Sequence, residues 1–411
     1  MASLGDLPLA AESLTALEAA GPLDLVAGVY ADEEAGGTTD LLDAAATALA
    51  KHFPAQRAAV LALPVGWRQG AMHAIRSWAG AEPASRLCLE SRPDADAGQA
   101  LRTLLSVAGR LEVRGAVLLD ATLAGLPPEA IHALLEPVAA GQADCALPAY
   151  TRSVTEGTLT TNLLAPLTCA LYGRAGQQMV GGCAALSGAL LQRLLARTAE
   201  AEGWKAPATE IWLTTTALLS DGPVVQVHLG RRPRHPGRPP ADLPTIVAET
   251  VGPLLTLMGR HREVWQEARD ARAVPLIGGP ATMLPDQGGP DVERMVRAFR
   301  LGLKDLLPVW EQIMPDTTLT DLYPLPFVAP DEFRFAPRLW ARVIGDFAVA
   351  YHDRRLPSDH LLRALTPLYL GRVAAFLLAT RDRSPAEIEQ ALEEIAGAFE
   401  AEKPTLIARW R

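Results

Sequence analysis

The chain has 411 residues, 49% of them hydrophobic and 21% charged, with 38 basic and 47 acidic side chains and a formal net charge of -9. That length and apolar content supply two or three cores of ordinary domain size and exclude a mainly disordered chain. The acidic balance argues against nucleic acid as the main partner, because polyanion binders carry a basic surface. Pro or Arg interrupts every apolar run before it reaches the roughly 20 residues of a membrane span. The first residues lack the basic-then-apolar order of a secretory signal, so a cytoplasmic protein is expected. Four widely spaced cysteines, Cys88, Cys145, Cys169 and Cys183, make no C-x-x-C pair, which points to reduced thiols rather than a disulfide framework or a zinc site.

Taken in chain order, residues 23–30 read as a strand and 39–52 as a helix with apolar residues three and four apart. Strands follow at 58–64 and 86–90, a helix at 98–110, and a strand at 115–120 that ends in a carboxylate, Asp120. A further strand is expected at 144–150, a broken apolar segment at 157–171, and a turn at Val180-Gly181-Gly182 before a helix at 187–200. A helix at 208–219 and a strand at 224–229 complete this part. Alternating strands and helices predict an α/β fold with a largely parallel sheet, whose ligands sit beyond the carboxyl ends of the strands. Asp120 falls at such an end. Residues 231–240 carry four prolines and read as a loop. Beyond it helices are expected at 243–270, 290–313, 335–353, 359–381 and 385–401. The expected division is an α/β domain over 1–240 and an all-helical domain over 241–411.

The phosphate loop G-x-x-x-x-G-K-S/T, the dinucleotide G-x-G-x-x-G and the G-x-S-x-G elbow are absent from the sequence. What stands instead is an ordered series of blocks. Asp120-Ala121-Thr122 precedes Leu126-Pro127-Pro128-Glu129-Ala130-Ile131. Then come Pro148-Ala149-Tyr150-Thr151-Arg152, the run from Glu156 to Asn162, and Ala165-Pro166-Leu167. Gln178-Met179-Val180-Gly181-Gly182, Glu210-Ile211-Trp212-Leu213-Thr214 and Gln226-Val227-His228-Leu229-Gly230 follow. Leu365 to Arg372 and Lys403 to Trp410 close the series. In this order the blocks resemble a group of bacterial GT-A glycosyltransferases, similar to mannosylglycerate synthase and glucosyl-3-phosphoglycerate synthase, over about residues 85–411.

The resemblance implies a Rossmann-like mixed sheet followed by a helical domain, and transfer of a sugar, with retention, from a nucleotide-sugar donor to a small hydroxylated acceptor. It implies a divalent cation, Mg²⁺ or Mn²⁺, which neutralises the leaving diphosphate as a Lewis acid. Carried onto this sequence, Asp120 and His235 hold the metal. Asp120 and Glu210 are the catalytic candidates, and Arg232, Arg234, Thr122 and Gln99 are candidates for the donor and its phosphates. Arg152, Gly181, Gly182 and Thr214 are candidates for the acceptor. A homodimer is one assembly this group allows.

The sequence departs from the pattern in several places. The second metal carboxylate is replaced by Thr122, the acid after the Gly-Gly pair by Cys183, and a loop lysine is missing at Ala97-Gly98-Gln99. Pro64-Val65-Gly66 stands where a base-side Asp is expected, and His235 lies one residue late. Two further readings therefore stay open: a catalytically silent relative that binds a ligand or scaffolds a partner, and a transferase that uses Arg in place of the cation. Each candidate also has a structural alternative. Asp120 can be a cap, Glu210 can serve a helix dipole, Arg152 and Asn162 can fix loops, and residues 231–238 can be a solvated basic loop. Cys183 and Trp212 read as core residues.

Overall fold

A computed structural model describes residues 7–32, 37–65, 75–78, 86–90, 95–176, 178, 180–233, 242–269, 272–285 and 291–410. The chain forms two compact units. The first comprises residues 1–150, 180–239 and 275–280, and the second 151–179, 240–274 and 281–411. The division interleaves, where the sequence reading had a single break at 240: residues 151–179 leave the α/β part, and 275–280 return to it.

The sheet strands are β1 (Leu25–Asp32), β2 (Ala58–Val65), β3 (Arg86–Cys88), β4 (Gly115–Asp120), β5 (Cys145–Ser153), β7 (Cys183–Ser187), β8 (Val224–Arg231) and β10 (Leu276–Ile277), all in the first unit except the last three residues of β5. Their order across the sheet is β10-β8-β5-β7-β4-β1-β2-β3. β1 pairs in parallel with β2 and β4, and β2 with β3. β7 runs antiparallel to both β4 and β5, which makes the sheet mixed. The sequence reading had a turn leading straight into a helix here. Cys183-Ala184-Ala185-Leu186 is a strand of small apolar residues, too short for its period to separate it from a helix start.

Side-chain alternation divides the sheet between two faces. Leu25, Ala27, Val29, Val117 and Leu119 join one core with helices α2 (Thr38–His52) and α4 (Pro128–Ala139). At the alternate position, the space over Gly28 is filled by Leu118 and by Leu104 of α3 (Ala97–Arg110). Sheets covered on both faces read as near-continuous apolar runs, as β2 and β4 do. Each Leu or Val so buried contributes about 1.5–3 kcal/mol. Asp96 caps α3 by accepting the backbone N–H of Gln99 at 2.8 Å, and Ser187 caps α6 (Gly188–Leu195). Then α7 (Ala206–Leu218) opens with Pro207 in its first turn. Its start is tied to α3 by Arg102, whose Nη1 donates to the Trp204 carbonyl at 2.6 Å and to Thr209 Oγ1 at 3.1 Å.

The second unit is largely helical. Its chief helices are α5 (Ala165–Tyr172), α8 (Leu243–Arg260), α10 (Val292–Ile313), α12 (Pro337–His352), α13 (Ser358–Ala364), α14 (Thr366–Thr380) and α15 (Pro385–Arg409). The expected helix 359–381 is two helices. The break at Leu365 follows from Pro367, which cannot supply a backbone N–H and therefore sits in the first turn of α14. By length and apolar content Ser358–Thr380 is long enough to cross a membrane, but its apolar part is mostly buried inside the protein, as in a core helix pair. By contrast, α15 runs past the expected 401 to Arg409 and starts with a capping box between Ser384 and Glu387.

Candidate active site

The carboxyl ends of β1 and β4 lie side by side, with Tyr30 in register with Asp120. The β4–β7 ladder continues one step past Leu119 and Cys183, because the Asp120 N–H donates to the Gly182 carbonyl at 2.7 Å. The Gly181–Gly182 turn therefore sits against the end of β4. Gly182 has φ +83°, a conformation that costs a side-chain-bearing residue about 1–2 kcal/mol. At Gly181 a Cβ would come within 2.6 Å of Pro148 Cγ and 3.0 Å of the Tyr150 ring. Glycine is required at the first for its backbone and at the second for space.

Glu210, in the first turns of α7, reaches this turn. Its Oε2 accepts the Gly182 N–H at 3.1 Å, and its Oε1 accepts the hydroxyl of the buried Tyr30 at 3.1 Å. Removal from water pushes the Glu210 carboxyl up to about 7, and the charge of nearby Asp120 adds to the rise. The Gly182 and Tyr30 hydrogen bonds and the charge of Arg232 oppose it. Tyr30 is itself pushed well above the usual phenol range, first by burial and then by Glu210.

Arg232, at the end of β8, completes the cluster. A Cβ at Gly182 would stand 3.6 Å from its Nη2, and its charge favours the ionised forms of Glu210 and Cys183. Asp120, Glu210 and Arg232 thus converge on one glycine turn, with two acids and one cation at the strand ends.

The other candidates divide. Thr122 follows Asp120 in a single turn of 3-10 helix, and its N–H donates to Asp120 Oδ1 at 2.7 Å. The cap and the cluster are therefore served by the same carboxylate. Thr214 lies one helical turn beyond Glu210 on α7, buried. Gln99 stands half-buried in the first turn of α3. Arg152 belongs to the second unit, where it is buried and its Nη1 occupies the space over Gly157. Arg234 and His235 lie outside the described residues.

Asn162, read as a residue that can fix a loop, is fully buried in the second unit. Its Oδ1 accepts from Arg372 Nε at 3.2 Å, and its carbonyl accepts from Trp340 Nε1 at 2.6 Å. Arg372 Nη1 also donates to the Phe335 carbonyl at 2.7 Å, and burial lowers its guanidinium to about 10. The Leu365–Arg372 block and the 156–162 block are therefore joined by packing rather than by ligand chemistry. Trp212 and Cys183 are core residues as read. Burial pushes the Cys183 thiol up to about 12, too high for a nucleophile at neutral pH.

Sequence reasoning missed two residues. Tyr30 was read only as a strand position, and Tyr150 only as part of a block. Yet Tyr150 donates to the Gly181 carbonyl at 3.2 Å and lies 3.3 Å from Cys183 Sγ. A polar aromatic at the end of a buried strand, beside a strand that ends in Asp, was the available signal, because a buried Tyr hydroxyl finds a partner.

The described donors do not fit a hard divalent cation. Such an ion takes several oxygen ligands, most of them charged. Thr122 is neutral, both Glu210 oxygens accept hydrogen bonds, and the Cys183 thiol stays protonated. Among the described residues no three His, Cys, Asp or Glu side chains gather as a metal site.

No family profile and no curated protein sequence matches the chain. Among solved structures it is similar to glucosyl-3-phosphoglycerate synthase from Mycobacterium tuberculosis in complex with Mn²⁺, UDP and glucosyl-3-phosphoglycerate. That likeness has 20% identity and a TM-score of 0.40, covering 59% of this chain and 82% of the other. The same enzyme in complex with Mn²⁺, UDP-glucose and phosphoglyceric acid is 22% identical at a TM-score of 0.40, over 59% and 82%. Mannosyl-3-phosphoglycerate synthase from Rubrobacter xylanophilus is 18% identical at a TM-score of 0.40, over 65% and 83%.

Proposed function

We propose that the first unit is a GT-A-type domain that binds a nucleotide-sugar donor and transfers its sugar to a small hydroxylated acceptor. The observation that carries this reading is the convergence of Asp120, Glu210 and Arg232 on the Gly181–Gly182 turn at the carboxyl ends of parallel strands, where ligands of open α/β sheets bind. Breaking the donor's glycosidic bond leaves a nucleoside diphosphate whose charge needs a cation. Arg232 supplies one in a form suited to bidentate phosphate contact. Glu210 titrates close to neutrality and is therefore poised to take the proton of the acceptor hydroxyl as the new bond forms. Tyr30 and the Gly182 N–H hold its carboxyl in place.

The metal is a separate element of the proposal. Of its two expected ligands, Asp120 and His235, only Asp120 is described, the described donors do not fit the ion, and no step above passes through it. Retention of configuration rests on the sequence resemblance. A specific observation favours the silent-relative reading: Tyr30 and Gly182 take both Glu210 oxygens, and Thr122 takes one of Asp120.

Calorimetry with a panel of UDP, GDP and ADP sugars, with and without Mn²⁺, followed by assay of donor cleavage, separates the readings. Transfer predicts binding and donor turnover, both reduced by Arg232→Ala. Binding without turnover favours the silent relative. Binding of no nucleotide sugar overturns the proposal.

A further inference from the structure

In the first unit two histidines meet across the seam between α2 and α4, outside the strand-end cluster. His52 is the last residue of α2, and His132 stands in the second turn of α4. Their rings stack with centroids 3.9 Å apart and planes within 7° of parallel. Phe53, the next residue after α2, packs against the His132 ring at 5.5 Å. His52 Nε2 and His132 Nδ1 are buried and have no hydrogen-bond partner among the described residues. Neutral imidazoles suit such a contact, since each presents a flat, largely apolar body.

Charge changes it. Two imidazolium ions at this separation repel, and a buried N–H without an acceptor costs more when it is charged. Besides His52, the charged groups acting on His132 are Lys51 on α2 and Glu129 and Glu136 on its own helix. Lys51 opposes protonation and the two acids favour it. Glu129 is engaged by Lys51 Nζ at 3.0 Å. Glu136 Oε2 stands 3.8 Å from His132 Nδ1, beyond hydrogen-bond reach, on a side chain half open to water. On the sheet side of the two helices lie Val29, Val117 and Leu119, which offer no compensating charge. The balance goes against the charged ring: burial first, and then the charge of His52, hold the His132 imidazole below its ordinary 6.5.

We propose that His52 and His132 form a proton-sensitive latch, which holds the end of α2 to α4 while both rings are neutral and releases it in mild acid. Histidine is the side chain whose charge changes in that range. The sign follows from linkage: stabilisation by the neutral stack is complete above 6.5 and is lost as pH falls through the lower folded value. Leu41, Leu42, Ile131 and Leu134 of the same two helices share an apolar core that pH does not touch. Acid therefore frees the helix end and leaves the unit folded.

The test is hydrogen exchange of the full-length protein followed by mass spectrometry, corrected for the intrinsic pH dependence of exchange. Protection of the amides at 48–53 should be at least about fivefold lower at about pH 5 than at about pH 7.5, with α3 unchanged. His52→Gln and His132→Gln each remove one titrating ring from a half-buried position, and each should erase that local pH dependence. By NMR, His132 should titrate below 6.5 in the wild type and move upward in His52→Gln. Equal protection at both pH values overturns the proposal, as does an acid loss that persists in both Gln variants. So does a wild-type His132 that titrates at 6.5 or above. No nucleotide sugar enters these measurements, so their outcome is independent of sugar transfer.

Discussion

Replacing Glu210 by Gln tests the electrostatics of the strand-end cluster. Gln keeps the shape, and its amide can satisfy both Gly182 and Tyr30, since a phenol oxygen also accepts. What it removes is the titration. In the folded protein the Glu210 carboxyl stands at about 7 against an ordinary 4.5. At about 1.4 kcal/mol per unit, that difference amounts to about 3 kcal/mol. The sign follows from linkage. The folded protein keeps this proton up to about pH 7, whereas the unfolded chain releases it near 4.5. Glu210 therefore costs no stability below pH 4.5 and lowers it progressively between 4.5 and 7. Guanidinium unfolding of both proteins from pH 4.5 to 8, followed by circular dichroism, reads the effect. The wild type should lose about 3 kcal/mol relative to Glu210→Gln across that range. A pH-independent difference, or a ¹³C-labelled Glu210 carboxyl titrating near 4.5, would refute the burial and the Asp120 coupling together.

Three further outcomes are expected. Tyr30→Phe removes a hydrogen bond that favours the ionised form of Glu210, so the carboxyl should move still higher by NMR titration; an unchanged or lower value contradicts the contact. Gly182→Ala should cost about 1–2 kcal/mol from its positive φ, read by denaturant unfolding, and a difference near zero would contradict the strain at this turn. Asn162→Ala should destabilise the second unit by about 1–3 kcal/mol, because it strands a buried Arg372 donor. It should leave donor affinity within twofold, and a larger loss of affinity would contradict a purely structural role for Asn162.

Much of the α/β unit was legible because its strands are apolar runs bounded by turn residues and its helices are amphipathic. Strand β4 and α3 fall within a residue of their expected limits for that reason. Strand β7 was not legible: the five residues Cys183–Ser187 after a Gly-Gly turn carry no period, and only pairing with β4 and β5 makes them a strand. The interleaving of the units was hidden as well, since residues 151–179 gain their partners from α12, α14 and α15, between 178 and 232 residues later. Within the site, Asp120, Glu210, Gly182 and Arg232 were each identifiable by type and position. Their hydrogen bonds were not, because Tyr30 and Glu210 lie 180 residues apart. The departures at Thr122 and Cys183 were visible in the sequence, and the structure gives them a consequence: the turn gathers Asp120, Glu210 and Arg232 with no second carboxylate beside Asp120 at position 122.

The central claim is tested most directly by a crystal structure of the protein soaked with the nucleotide sugar that binds best in calorimetry. The account predicts the diphosphate against Arg232 and the Gly182 turn, with the transferred sugar within hydrogen-bond reach of Glu210. A nucleotide bound elsewhere, with Asp120, Glu210 and Arg232 left in contact only with one another, would contradict it.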